Sequence, residues 1–147
     1  MFKNILVPTD GSAFSNKAVA TAARLALSIG AKLLVLHVRS PIETPHHVEG
    51  GALSNLGGKA VMREIEEEER RLLDAALNIA AADGMKAETA FVAGYSPYDA
   101  IIRIAQEQHC DLIVMASHGR GGISGFLLGS ETQKVLTHTT MPVLVVR

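Results

Sequence analysis

The chain has 147 residues, 48% apolar and 20% charged, with a net charge of −1 at neutral pH. This is the composition of one ordinary globular domain, large enough to bury roughly 70% of its unfolded surface. The near-neutral balance excludes the basic surface that nucleic-acid binding uses for counterion release, and the lack of Trp leaves little for base stacking.

No apolar run approaches the ~20 residues of a membrane span, and the N-terminus enters a strand-like segment directly, so neither a membrane helix nor a signal peptide is expected. The single cysteine, Cys110, rules out an internal disulfide and suits a reducing cytoplasm.

Asn4–Pro8 is a short apolar strand closed by the turn residues Pro8-Thr9-Asp10-Gly11. Residues 14–29 place Ala18, Ala22, Leu25, Ala26 and Ile29 at helical spacing, with Gly30 as the stop. Lys32–Arg39 is a second strand whose nearly continuous apolar run suits a parallel sheet covered on both faces. Residues 40–58 carry two prolines and four glycines without a period, the mark of a flexible loop or a lid. A long helix follows from about Lys59 to Asp83, with Glu66–Arg70 and Glu67–Arg71 at i,i+4 and the acidic run Glu66–Glu69 as a solvated face.

Gly84 ends that helix, and Ala87–Ala93 reads as the third strand. Ser96 as N-cap, Pro97 at the first position and Asp99 in the first turn begin a helix that runs to about Gln108. Asp111–Met115 is the fourth strand. A glycine-rich loop follows, then a helix from Ser130 to about His138 with capping-box spacing at Ser130 and Gln133, and a last strand at 142–147. Strands alternating with helices predict a single doubly wound α/β domain, 1–147, with a five-stranded parallel sheet and helices on both faces. In such sheets ligands bind beyond the carboxyl ends of the strands, where strand order reverses. Pro8-Thr9-Asp10, His37-Val38 and Met115-Ala116 are those ends.

The loop lacks both the Gly-Lys-Ser/Thr ending of a Walker loop and a Gly-x-Gly-x-x-Gly after the first strand. It does have Gly119, nine intervening residues, then Gly129-Ser130 opening a helix. Glycine lets backbone approach a ligand, and a helix start offers unpaired N–H groups to an anion.

Here the chain resembles the universal stress protein family, a cytosolic group on an adenine-nucleotide-binding α/β fold. The likeness spans nearly the whole sequence: Ile5-Leu-Val-Pro-Thr-Asp-Gly-Ser12, Leu36-His-Val38, Asp111–Met115, Ser117-His-Gly119, Leu128-Gly-Ser130 and Pro142–Val146. The nucleotide-binding branch carries Gly-x-x-Gly-x9-Gly-Ser/Thr. Gly119, Gly129 and Ser130 match it, whereas Ala116 stands at the first glycine. Its methyl either crowds a ribose or α-phosphate or is harmless where φ is negative.

The resemblance implies ATP or another adenine nucleotide as ligand, with Mg²⁺. Pro8, Thr9 and Asp10 would lie against the adenosine, with Asp10 near ribose or a phosphate-bound metal. Val38 would meet the adenine edge through its backbone, and Met115, beside Ala116, would pack on the base. Gly119, Arg120, Gly129, Ser130, Glu131 and Thr132 would surround the phosphates. It also implies a homodimer formed by pairing residues 143–146 with their copy, and leaves room for an unidentified protein partner.

A helix start stabilises an anion by only ~0.3–1 kcal/mol, whereas micromolar binding needs about 8 kcal/mol, so base burial and a cation must contribute. With no P-loop lysine and no paired acids, the site reads as holding a nucleotide in a stress-response regulator. A nucleotide-independent dimeric module and a slow ATPase or autokinase are the alternatives. His118 is the candidate base, or else a loop histidine fixing the turn. His46-His47 beside Glu43 and Glu49 are the remaining metal candidates; His37 and His138 read as structural, and Cys110 as an inert thiol.

Overall fold

A computed structural model of the chain describes residues 1–40, 54–120 and 128–147, without the side chains of 54–57. The elements follow in the order β1 (Asn4–Pro8), α1 (Ala13–Ile29), β2 (Lys32–Arg39), α2 (Ser54–Ala82), β3 (Ala87–Ala93), α3 (Pro97–Glu107), β4 (Leu112–Ala116), α4 (Ser130–His138) and β5 (Val143–Val146). All five strands pair in parallel in the spatial order β3-β2-β1-β4-β5. The doubly wound expectation holds. The chain first builds outward from β1 through β2 to β3, then α3 carries it back across to β4 on the other side of β1.

Register explains the two-sided burial. Ile5, Val7, Leu33 and Val35 point into one core with Ala18, Ala22 and Ala26 of α1 and Ala76 and Ala80 of α2. Their neighbours Leu6, Leu36, Ile113 and Met115 point into the other with Ile101 and Ile104 of α3 and Val135 of α4. Alanine lines α1 on its buried side, which lets that helix lie close to the sheet. Gly30 ends α1 at φ 69°, and the Ala31 N–H reaches back to the Ala26 carbonyl at 2.8 Å, the left-handed stop that glycine adopts without strain.

Three local expectations are corrected. Helix α2 begins at Ser54, so 54–58 belong to a helix and not to the loop; residues 41–53, including His46-His47, lie outside the described residues. The acidic run is not uniformly solvated: Glu69 makes a 2.9 Å ion pair with Arg39 at the end of β2, and both side chains are largely buried. Burial pushes the Glu69 carboxyl up even though Arg39 opposes it. Glu67–Arg71 forms at 3.8 Å in the open, and Glu66–Arg70 does not form.

The third correction concerns caps. Gly129, not Ser130, is the N-cap of α4, so the capping box is absent, and the Gln133 side chain bonds the Leu128 carbonyl instead. Ser96 does precede α3, but its hydroxyl makes no capping bond.

Ile113 sits fully buried in β4 between β1 and β5. Ile113→Ala is expected to cost about 2–5 kcal/mol, since the close-packed site collapses only partly around the lost atoms. Urea denaturation measures it; a loss under ~1 kcal/mol would show a looser core than the packing here implies.

Candidate functional site

Strand order reverses between β1 and β4, and there a cavity of about 400 Å³ opens beyond the carboxyl ends of the strands. It lies within the ~300–1,000 Å³ range of small-molecule sites. Every residue singled out for ligand contact lines it: Pro8, Thr9, Asp10, Val38, Met115, Ala116, Gly119, Arg120, Gly129, Ser130, Glu131 and Thr132. So does His118. Sequence reasoning missed Ser15, Ser40, Pro97 and Ile101. The last two make α3 a wall of the cavity. The apolar spacing that buries Ile101 carried that signal, but only the crossover shows which end of the sheet α3 starts from.

Asp10 joins the two halves of the site. One carboxylate oxygen accepts the Ser12 N–H at 2.9 Å in the β1–α1 turn, and the other accepts the Arg120 N–H at 2.8 Å across 110 residues of sequence. A Cβ on Gly119 would lie 2.7 Å from that second oxygen, a distance at which something must shift, so this glycine is what lets the loop close on Asp10. Burial pushes the Asp10 carboxyl up, but the donors of Ser12, Ser15 and Arg120 more than offset it and hold its pKa below the ordinary 3.8.

Gly129 serves a similar end. Its N–H donates to the Ser117 carbonyl at 2.7 Å, and an added Cβ would sit 3.2 Å from that oxygen and 3.3 Å from the His118 Cα. Two glycines of the motif thus stand where a side chain would crowd the fold itself, Gly119 against the Asp10 carboxylate and, less severely, Gly129 against the backbone of Ser117 and His118. Ala116 needs no glycine, because among the described residues His109 is the one non-glycine with positive φ.

Other side chains are engaged within the fold. The Thr132 hydroxyl donates to the Ala116 carbonyl at 2.8 Å, and the Thr9 hydroxyl accepts the Gly11 N–H at 3.2 Å. The Glu131 carboxylate turns toward α3, taking the Tyr98 N–H at 2.8 Å and the Lys134 ammonium at 3.0 Å. It thereby supplies the cap that Ser96 does not. What α4 leaves open to the cavity is its first turn, whose N–H groups have no partner within the helix, with the exposed Ser130 beside them. Arg120 is the one cation among the described residues that line the cavity.

The remaining candidates are structural in geometry. His37 is buried, its Nδ1 2.9 Å from the Thr9 carbonyl and its ring stacked on Phe91, and His138 bonds the Lys134 carbonyl at 2.8 Å. Burial, with Asp111 adding to it, pushes the Cys110 thiol up to about 11, which keeps it protonated and unreactive. Among the described residues no group of three or more His, Cys, Asp or Glu is placed to hold a metal, and no helix is long and apolar enough to cross a membrane.

A doubly wound parallel sheet with a cavity at its reversal point, bounded by Gly119 and the start of α4, places the chain among open-sheet α/β proteins with a crevice at the carboxyl ends of the strands. The model of the universal stress protein family matches residues 1–147. A universal stress protein of Thermus aquaticus, encoded in the QAH/OAS sulfhydrylase 3′ region, is 35% identical over 147 residues, covering all of both chains. The solved structure of MJ0577 from Methanocaldococcus jannaschii superimposes with a TM-score of 0.80 at 27% identity, covering 99% of this chain and 96% of that one. A universal stress protein in complex with cAMP gives 0.67 at 29% identity, covering 99% and 97%. The chain belongs to the universal stress protein family.

The Asp10 tie carries a pH signature. With its folded pKa below the unfolded value, its contribution is present above about pH 4 and is lost as pH falls through the folded pKa. Asp10→Asn is expected to cost about 1–2 kcal/mol at pH 7, with the gap to wild type narrowing below about pH 4. Urea denaturation across pH measures this, and an equal loss at all pH values contradicts it.

Proposed function

We propose that the cavity binds an adenine nucleotide, ATP with Mg²⁺ or a relative of it, and that the protein acts in the cytoplasm as a nucleotide-responsive regulator of the stress response. The observation that carries this reading is the composition of the cavity wall. Val38, Met115 and Ile101 give the wall apolar side chains on which a flat base can pack, while the first turn of α4 and Arg120 give it donors and charge. A relative of known structure, 29% identical over nearly the whole chain, is complexed with cAMP. Asp10 spends its carboxylate on backbone donors, so a metal here would be held mainly by the phosphates, with Asp10 beside it.

Holding fits the site better than turnover. Phosphoryl transfer relies on dense positive charge around the reacting phosphate, and Arg120 is the one cation among the described lining residues. Titration calorimetry with Mg-ATP and with AMP tests the reading. Micromolar to submillimolar binding is expected, and Ser130→Trp, which puts bulk on an exposed lining position, is expected to weaken it about tenfold or more while leaving the fold intact. No heat and no thermal shift at millimolar nucleotide would sink it.

Self-association belongs to the same proposal and stands on a separate observation. β5 is an edge strand, and Leu144 on it and Leu136 on α4 are both about two-fifths exposed. Such an edge ordinarily has to be covered. Light scattering of the wild type is expected to give the dimer mass, and Leu144→Lys to shift it toward the monomer. A monomeric wild type at physiological concentration removes this part of the proposal.

A further inference from the structure

Arg39, the last residue of β2, stands between two residues of the cavity wall. Val38 and Ser40 line the cavity, and Val38 packs into the core on the α3 side. Side chains alternate along a strand, so Arg39 turns to the opposite face, where its guanidinium meets Glu69 of α2 at 2.9 Å. The same guanidinium lies over the Phe91 ring of β3, 5.4 Å from its centroid. The Arg39 carbonyl accepts the Gly94 N–H at 2.9 Å, at the start of the turn that leads to Pro97 and Ile101 on the α3 wall. One residue therefore joins α2, β3 and the β3–α3 turn to the end of β2. One turn along α2 from Glu69, Leu72 abuts the turn after Asp10, its Cδ1 3.3 Å from where a Cβ on Gly11 would stand.

The Arg39–Glu69 pair is poorly suited to stabilising the fold. Its side chains are 18% and 12% exposed, and the Arg39 Nε is buried without a hydrogen-bond partner among the described residues. Burial pushes the Glu69 carboxyl up. Arg39 and His37 of β2 favour the carboxylate and Glu66 of α2 opposes it, while β3 offers the uncharged Phe91 ring and α1 enters the shared core through alanines. An ion pair whose desolvation outweighs its attraction adds little stability, and an apolar pair of similar volume serves the fold as well. What it does supply is direction, because a guanidinium fork meets a carboxylate in a narrow range of geometries and apolar side chains do not.

We propose that Glu69 is a positioning residue for the cavity: its carboxylate, acting through Arg39, holds the end of β2 so that Val38 and Ser40 meet the nucleotide, and protonation of that carboxylate weakens binding. This rests on the nucleotide reading above. Acid thereby reaches the site from behind the sheet, through a helix that contributes none of the described lining residues.

Calorimetric affinities for AMP and Mg-ATP, measured from about pH 8 to about pH 5 with urea denaturation alongside, test this on three proteins. They are wild type, Glu69→Gln and the apolar pair Arg39→Met with Glu69→Leu. Wild-type affinity is expected to fall as pH drops toward the folded pKa of Glu69, which lies above the ordinary 4.5. Glu69→Gln is expected to bind about fivefold more weakly at pH 8 and to converge with wild type as pH falls, since it has no carboxylate left to protonate. Titration of the phosphates and histidines is common to both, so the difference between the curves reports Glu69. The apolar pair is expected to be at least as stable as wild type in urea and still to bind about fivefold more weakly at pH 8; it decides the matter if Glu69→Gln does not fold. Wild-type affinity in either variant at pH 8, or a Glu69→Gln loss that stays constant with pH, overturns the assignment and leaves the nucleotide reading standing. If wild type binds neither nucleotide, both fall together.

Discussion

A carboxylate near the N-terminus holds the backbone of a loop more than a hundred residues away, and the geometry of the site depends on that contact. Asp10 accepts one N–H from its own turn and one from Arg120, so the loop after β1 and the loop after β4 meet at a single side chain. The sheet makes this possible: β1 and β4 are parallel neighbours, and both loops leave the same edge. Gly119 makes it close, because any side chain there would meet the carboxylate. A charge-assisted bond of this kind positions more than it stabilises. Its worth is about a hydrogen bond or two, yet it sets where Arg120 and the start of the glycine loop stand.

The glycines of the loop acquire a different meaning in this light. From sequence they read as room for a ligand. In the structure Gly119 makes room for Asp10, and Gly129 makes room for the Ser117 carbonyl and the backbone of His118. Both functions are compatible. Packing the loop ends tightly against their neighbours aims the first turn of α4 at the cavity, so the close backbone contacts pre-form the surface that an anion meets. At Gly129 the wall is backbone packed against backbone, and at Gly119 it is backbone packed against the Asp10 carboxylate.

Much of this was legible in the residues themselves. The strand and helix order followed from apolar runs and their punctuation, because buried parallel strands and amphipathic helices leave different periods. The residues that the resemblance assigned to nucleotide contact all line the cavity, since they stand at strand ends and at the two ends of the glycine loop. What the residues did not disclose is how side chains would be spent. Glu131, read as a neighbour of phosphate, turns to Tyr98 and Lys134, and the Glu69 carboxylate leaves its solvated run to meet Arg39. The contacts to Tyr98 and Arg39 join elements distant in sequence, and no local pattern encodes them; the Lys134 contact is an i,i+3 pair within α4. The α3 wall was missed for the same reason: Pro97 and Ile101 reach the cavity only because the crossover sets α3 beside α4.

The bond from Glu131 to Tyr98 has one more consequence. The N–H groups that open a helix are ordinarily satisfied by a residue just ahead of it in the chain, so the helix carries its own terminus. In α3 that residue, Ser96, makes no such bond, and the carboxylate comes from the first turn of α4. The stability of the first turn of α3 is therefore a property of where α4 sits. A shift of α4 leaves the Tyr98 amide without its acceptor, so the two helical walls of the cavity share a hydrogen bond that neither supplies alone.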